Sequence, residues 1–484
     1  MIIRKDDQIL SYLEDTSNLK GKAASVYVPD NESEVLDCIR DVLGNNSSLT
    51  LSGARTGTTG GCVPYQGSIL SLEKLNRVIG IDVEQKRIKL EAGVLLSDLE
   101  KEANKHNLSL RACPTESLAS IGGAISTAAS GVRGFGYGSI RRYITELTVI
   151  LTTGKRLLIP RNKFFANQRE FKFQCQGCDY EFTLPSYSRP QVKSQAGYFI
   201  KDNMDLIDLF IGSEGTLGVI TACELSLQEI PHAVFDGLVF FSKEKKALEF
   251  VQTIKSAKDK PKPASLEFFD SHSLNLLRSS YSFIPQAQAA VYFEQEVSSP
   301  DLNDCLIEAW QALIEESGAF DEAIFADTPQ ERKKVFELRH AVPELINEFL
   351  RAHNQLKVSS DIAVPEQHLE EMYFFYQAKA KESGLGYVNF GHIGESHLHF
   401  NFLPRNDTEY SRAKEYMVIF AKKALSLGGT ISAEHGIGKI KKPYFGLMYT
   451  KEQIKEMAGL KKYFDPYCIL NRDNIFDADI LGEI

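Results

Sequence analysis

Sixteen residues, LTLSGARTGTTGGCVP at 49–64, constrain the chain most: a short strand-like run enters a turn with glycines at 53, 57, 60 and 61. So dense a glycine run continues neither a helix nor a strand. Turns of this kind aim successive backbone N–H groups inward, a donor array suited to a pyrophosphate. Thr56, Thr58 and Thr59 add hydroxyls. The loop is neither a Walker loop, since no Gly-Lys-Ser/Thr follows, nor the GxGxxG dinucleotide turn. Alone it reads equally as a structural turn or a binding loop. A second stretch, 113–142, gathers Gly122, Gly123, Ala124, Ser126, Ala128, Ala129 and Gly131. Such small residues let backbone approach a flat ligand, or let helices pack tightly.

At 484 residues the chain exceeds one hydrophobic core, so two or three domains are expected. The net charge of -9 repels phosphate backbones and argues against nucleic acid as a partner. No apolar run is long enough for a transmembrane segment, and the opening MIIRKDDQIL lacks a signal-peptide core. The expected location is cytoplasmic, with peripheral docking at the inner membrane face left open. Eight scattered cysteines read as reduced thiols.

Glycine-rich turns, strand-like runs and helical segments alternate through residues 1–230, as in a nucleotide-binding domain. Residues 161–196 read as an insertion, polar and aromatic, with a hairpin turning at Gln176-Gly177. From 231 to 420 the pattern of strand, long helix, strand predicts helices on an antiparallel sheet. Residues 421–484 are expected to complete the active site and pack on the first domain. The pattern leaves α/β or α+β open for the first domain; with the antiparallel second domain, the fold class expected for the chain is α+β.

Four of the ten histidines, His392, His397, His399 and His435, fall within 44 residues. In HLHFNF, alternation puts Leu398, Phe400 and Phe402 on one face and His397, His399 and Asn401 on the other. Imidazoles beside Glu434 suit zinc or a similar divalent ion, and three protein ligands with an open position mark a catalytic site.

The segments 49–64, 113–142 and FIGSEGTLGVIT at 210–221, in that order, resemble the FAD-binding domain of the vanillyl-alcohol oxidase and p-cresol methylhydroxylase superfamily. Within it the chain is most similar to the FAD-linked D-2-hydroxy-acid dehydrogenases, a group that spans D-lactate, D-2-hydroxyglutarate and glycolate enzymes. The resemblance covers about residues 26–476, interrupted mainly by 161–196. It implies two domains, a PCMH-type FAD-binding domain and an antiparallel-sheet cap domain. It implies that Gly53, Ala54, Arg55, Thr56, Gly57, Thr58 and Gly61 wrap the pyrophosphate. Pro114, Thr115, Gly122, Gly123 and Ser126 would line the flavin, with the backbone of Ile220 closing over it. Members with covalent flavin carry a histidine in the first loop; its absence here implies noncovalent FAD. Arg55 stands where relatives often have glycine or asparagine.

The same resemblance assigns His392, His399 and Glu434 to a divalent metal, zinc first, with manganese or iron as alternatives. It makes His435 the base, Arg339 the carboxylate anchor and Asn401 a substrate contact. His397 replaces a usually small or polar residue and is a fourth ligand, a supporting residue or a surface group. The implied reaction is metal-assisted oxidation of a small, D-lactate-like 2-hydroxy acid, with hydride passing to flavin. Pro343 and Ser359 stand where the D-2-hydroxyglutarate branch has threonine and lysine, which favours a monocarboxylate; Lys357 is the nearest lysine. Oxidation of D-2-hydroxyglutarate or glycolate, and a same-fold alcohol or polyol oxidase using oxygen, are the alternatives. With no iron–sulfur motif in the chain, electrons would pass to a quinone, an electron-transfer flavoprotein or an iron–sulfur protein. Cys175 and Cys178 form a CxxC pair without a second pair; a surface hairpin is the first reading, ahead of a metal site completed in a dimer or a disulfide, and the aromatic residues Phe171, Phe173, Tyr180 and Phe182 offer docking of an electron acceptor as a further alternative.

Overall fold

The computed structural model describes residues 2–256, 261–320 and 322–483. Its N-terminal part is built on two sheets. One runs Ile2–Arg4, Ser25–Val28, Ser68–Ser71, Leu49–Ser52, parallel except for its first pair. The other is antiparallel, in the order Val78–Asp82, Arg87–Glu91, Val219–Ser226, Ile144–Ile150, Arg156–Pro160. Helix Glu32–Gly44 starts where Asn31 accepts a hydrogen bond from the Glu34 N–H at 3.0 Å, and two glutamates in its first turn suit the helix dipole.

The second part is an eight-stranded antiparallel sheet. Its main path runs Ile324–Ala326, Ala233–Phe241, Ala289–Val297, Ser265–Asp270, Tyr387–Gly391, His397–Phe402, Val358–Ser359, with Ile362–Ala363 also paired to His397–Phe402. Gly237 is glycine for a reason: a Cβ there would run into the Phe293 ring, which stacks on Trp310 at 3.5 Å. The long helix Pro329–Ala352 begins with Thr328 capping and Pro329 in its first turn, and keeps Pro343 in its interior. Its Val335, Leu338, Val342 and Ile346 pack on the sheet with Leu238, Phe240 and Phe269.

The two parts meet along the glycine-rich segment 113–142. Gly136 donates to the Ala264 carbonyl at 3.0 Å and has no room for a Cβ, Arg133 pairs with Glu294, and Arg111 with Glu296. The C-terminal residues return to the first part: Leu49 N–H donates to Ile469 at 2.8 Å, and the Asn471 side chain accepts from Leu51 N–H at 2.6 Å. Among the described residues no helix is long and apolar enough to cross a membrane, and all eight cysteines are free thiols.

Residues 161–196 contain the hairpin Glu170–Cys175 and Cys178–Thr183. Gln176 and Gly177 both have positive φ, 49° and 76°, the two-residue turn that matches strand twist. The docking role suggested by its aromatic residues needs correction. Phe171, Tyr180 and Phe182 are buried, and Phe182 packs on Tyr463 and Phe464 at about 5 Å. These rings serve the protein's own core.

Candidate active site

The first glycine loop and the second glycine stretch come together. A Cβ on Gly53 would strike the Ser120 hydroxyl, and Ser120 caps the short helix Ile121–Ser126 by accepting from Gly123 N–H. Gly122 presses against Ala92, where a Cβ would lie 2.9 Å from the carbonyl oxygen. Ser126 Oγ donates to the Gly122 carbonyl at 2.8 Å. Thr16 holds the carbonyls of Thr56 and Gly57 through its hydroxyl, at 3.0 and 2.6 Å. Among the described residues, no backbone N–H of residues 54–59 donates a hydrogen bond. That donor array, next to a second segment bare of side chains, fits a pyrophosphate and the flat ring beyond it. Thr115 is exposed, Pro114 half-buried, and residues 113–115 lie against Gly131. Ile220 is buried in the sheet, paired with Val149 beside a bulge.

Arg55 takes a left-handed backbone, φ 63°, which only glycine and asparagine adopt readily. Its guanidinium lies over Tyr12 at 4.6 Å and 3.9 Å from Glu73, while Tyr12 donates to Glu73 at 2.7 Å.

On the sheet, alternation works as the sequence implies: Leu398, Phe400 and Phe402 are buried in apolar clusters. The opposite face brings His392, His397, His399 and Glu434 together, with one ligand atom of each within 4.8 Å of the others. Two of the three rings are held by a carboxylate. Glu267 lies 2.6 Å from His392 Nδ1, which leaves Nε2 3.2 Å from Glu434 Oε2. Asp361 lies 2.9 Å from His397 Nε2, which leaves Nδ1 3.8 Å from Glu434 Oε2. His397 is 0% exposed, so it is no surface group, and its Nδ1 has no hydrogen-bond partner among the described residues. A buried polar atom left so costs about 1–3 kcal/mol, a sign of a site made for something more than protein. These four side chains fit a divalent cation.

Charge explains the rest. His392 loses hydration, yet Glu267 and Glu434 outweigh that loss and push its pKa up to about 9. Burial and three neighbouring imidazoles hold His399 well below the ordinary histidine value. Burial opposes charge on Glu434, but Lys193 and His392 keep it ionised well below the usual carboxylate range. Asp361 is likewise held low by His435 and Lys441 against its burial. Asp361 is the anchor of the loop 432–436: it accepts the His435 N–H at 2.9 Å, the Glu434 N–H at 3.2 Å and the Ser432 hydroxyl at 2.9 Å.

His435 stacks on His399 with ring centres 5.6 Å apart, and a third of its side chain stays open. Desolvation, only partly offset by Asp361, pushes its pKa down to about 4. Its loop is tied to the cofactor loop. Gly438 has φ 52° and its Cβ would strike the Thr59 carbonyl; Lys439 N–H donates to that same carbonyl at 2.9 Å. From the other side Glu214, in the segment 210–221, accepts the N–H groups of Ile437 and Gly438 at 2.7 and 2.6 Å.

Arg339 donates through Nε to Glu267 at 3.2 Å, while its terminal nitrogens donate no hydrogen bond among the described residues. Asn401 is buried; its amide donates to the His399 carbonyl at 3.0 Å and its oxygen is unpartnered. Sequence reasoning missed Glu267, Lys193, Glu395, Ser130 and Glu214. Lys193, from the 161–196 insertion, reaches Glu395 at 2.7 Å and Glu434 at 3.6 Å, and Ser130 donates to Glu434 at 2.8 Å. Only Glu267 left a signal, as one acid in the otherwise apolar SLEFF run.

The fold defines a two-domain flavoprotein: an FAD domain of PCMH type and a cap built on an antiparallel sheet. The profile described as "FAD linked oxidases, C-terminal domain" matches residues 230–475, and the FAD binding domain profile matches 23–159. The chain belongs to the FAD-linked oxidases and is an oxidoreductase. It is 28% identical to D-lactate dehydrogenase of Anaerostipes hadrus over 96% of this chain and 92% of that one. It is 27% identical to glycolate oxidase subunit GlcD of Bacillus subtilis, over 94% and 89%. It is 25% identical to D-2-hydroxyglutarate dehydrogenase of Xanthomonas citri pv. viticola, again over 94% and 89%. A solved alkyldihydroxyacetonephosphate synthase shares the fold, with TM-score 0.68 at 16% identity over 97% of this chain and 82% of that one.

Proposed function

We propose that the chain oxidises a small D-2-hydroxy acid, D-lactate-like, to the 2-oxo acid, using noncovalent FAD and a divalent cation and delivering electrons to a separate acceptor. The observation that carries this reading is the convergence of His392, His399 and Glu434 with a neutral, partly open His435. The names of the relatives, D-lactate dehydrogenase, glycolate oxidase subunit GlcD and D-2-hydroxyglutarate dehydrogenase, support it.

FAD, when bound, accepts the hydride. A divalent ion, when bound, lowers the pKa of a substrate hydroxyl beside it. The residues do the rest. His435 is uncharged at pH 7 and takes the hydroxyl proton; Asp361, 3.5 Å from its Nδ1, favours the tautomer that leaves Nε2 free to receive it. Arg339, steered by Glu267, offers its two terminal nitrogens to the substrate carboxylate. Asn401 offers its unpartnered oxygen. The acceptor of the electrons is a quinone, an electron-transfer flavoprotein or an iron–sulfur protein.

Ser359 and Pro343 supply no cation for a second carboxylate, which favours a monocarboxylate. One observation favours the dicarboxylate alternative. Lys357 lies two residues from Ser359, which is paired with Asn401, so alternation puts it on the same face; it has no ion pair or hydrogen bond among the described residues. Anaerobic titration with D- and L-2-hydroxy acids, following flavin bleaching, decides between them. Bleaching by D-lactate supports the monocarboxylate; bleaching by D-2-hydroxyglutarate alone, lost in Lys357→Met, supports the dicarboxylate. If no 2-hydroxy acid bleaches the flavin, the reading fails.

A further inference from the structure

The geometry points to His397 as a fourth protein ligand, which turns the cation centre into three imidazoles and one carboxylate and calls for an ion of six-coordinate habit rather than zinc. This inference rests on the proposed metal-assisted reading.

Two observations carry it. The first is that His392 and His397 are each paired with a carboxylate of their own. A metal-binding histidine usually gives one ring nitrogen to a carboxylate or carbonyl and the other to the ion. Glu267 holds His392 at Nδ1 and frees Nε2; Asp361 lies at His397 Nε2 and frees Nδ1. Both free nitrogens face the same oxygen, Glu434 Oε2, at 3.2 and 3.8 Å. Neighbouring donors on one six-coordinate ion at ~2.0–2.2 Å lie roughly 2.8–3.1 Å from each other, so His397 needs to move closer to Glu434 by roughly 0.7–1 Å. The second is that His397 is fully buried and its Nδ1 has no hydrogen-bond partner among the described residues. A supporting residue would have its partners satisfied within the protein; a ligand waits for one.

The consequence is chemical. Zinc held by four protein side chains is a closed, structural site, without a position for substrate. Manganese, iron or cobalt accepts six donors, so four protein ligands leave two positions for the hydroxyl and carboxylate oxygens of a 2-hydroxy acid.

The test uses the full chain with FAD bound, stripped of metal by a chelator and reloaded with cobalt(II). X-ray absorption at the cobalt edge counts imidazoles, and visible absorption separates four-coordinate cobalt, intense, from five- or six-coordinate cobalt, faint. The expected result is one cobalt per chain with three imidazoles and faint absorption. His397→Ala should show two imidazoles and bind cobalt at least ~10-fold more weakly, with its flavin absorbance retained as proof of folding. His397→Asn is the second variant, and the wild-type imidazole count decides even if both misfold. Two imidazoles in the wild type overturn the fourth ligand and leave the metal-assisted reading standing. Three imidazoles with intense four-coordinate absorption overturn the six-coordinate assignment. No stoichiometric cobalt in the wild type overturns this inference and the metal-assisted reading together.

Discussion

In the proposed reading, residues 53–61 offer backbone to the cofactor, whereas residues 392–435 offer side chains to cation and substrate. In the first region the carbonyls of Thr56 and Gly57 are tied down by Thr16, neighbouring N–H groups are left over, and Gly53 is small because Ser120 fills the space. In the second, imidazoles and carboxylates are buried next to each other, and each is kept in its charge state by the next: Glu267 by Arg339, Glu434 by Lys193, Asp361 by Lys441. A backbone site is specified by where side chains are missing and fails by steric intrusion. A side-chain site is specified by compensation and fails when one partner goes and leaves a buried charge alone.

That contrast can be broken by substitution, and the largest effect belongs to the side-chain region. His435→Ala should keep its FAD yet slow substrate-driven flavin reduction by about 10²–10⁴-fold in stopped-flow absorbance. Undiminished bleaching would remove His435 from the base role. Glu267→Gln, which weakens the hold on both His392 and Arg339, should lower divalent-metal affinity by about 10–100-fold in a competition titration. An unchanged affinity would mean that the ring needs no orientation.

The backbone region is tested by glycine. Gly438→Ala combines a left-handed φ with intrusion on the Thr59 carbonyl, so it should cost about 2–5 kcal/mol in denaturant unfolding and weaken FAD retention. Gly177→Ala is the control: its φ is 76°, but no atom lies within 4 Å of the added Cβ. It should cost only about 1–2 kcal/mol and leave flavin reduction unchanged. Equal losses at the two glycines would show that strain, and not the contact between the loops, is what matters at Gly438. The smallest effect is expected at Arg55→Gly, where relief of the left-handed strain offsets loss of the contacts to Tyr12 and Glu73, leaving stability within about 1 kcal/mol.

Much of the site was legible because its signals are local. Glycine density in 49–64 is itself the statement that backbone must be bare. Two-residue alternation in HLHFNF put His397, His399 and Asn401 on one face before any partner strand was known. The adjacent pair Glu434-His435 needed no third element to be noticed. Which carboxylate holds which ring was not legible, because Glu267 and Asp361 lie 125 and 36 residues from the histidines they hold. Nor was the role of Arg55, whose residue type gives no hint of a positive φ.

The sequence by itself determined which groups were on offer: a bare loop, a row of imidazoles, a Glu-His pair and no histidine within the first loop. Tertiary structure alone decided which of them carry charge and which way each ring turns. Those properties depend on desolvation and on neighbours supplied by distant elements, Lys193 from the insertion, Glu267 from a different strand and Glu214 from the segment 210–221. Hydrophobic alternation acts over two or three residues and is written in the chain; electrostatic compensation acts across space and exists only once the chain has folded.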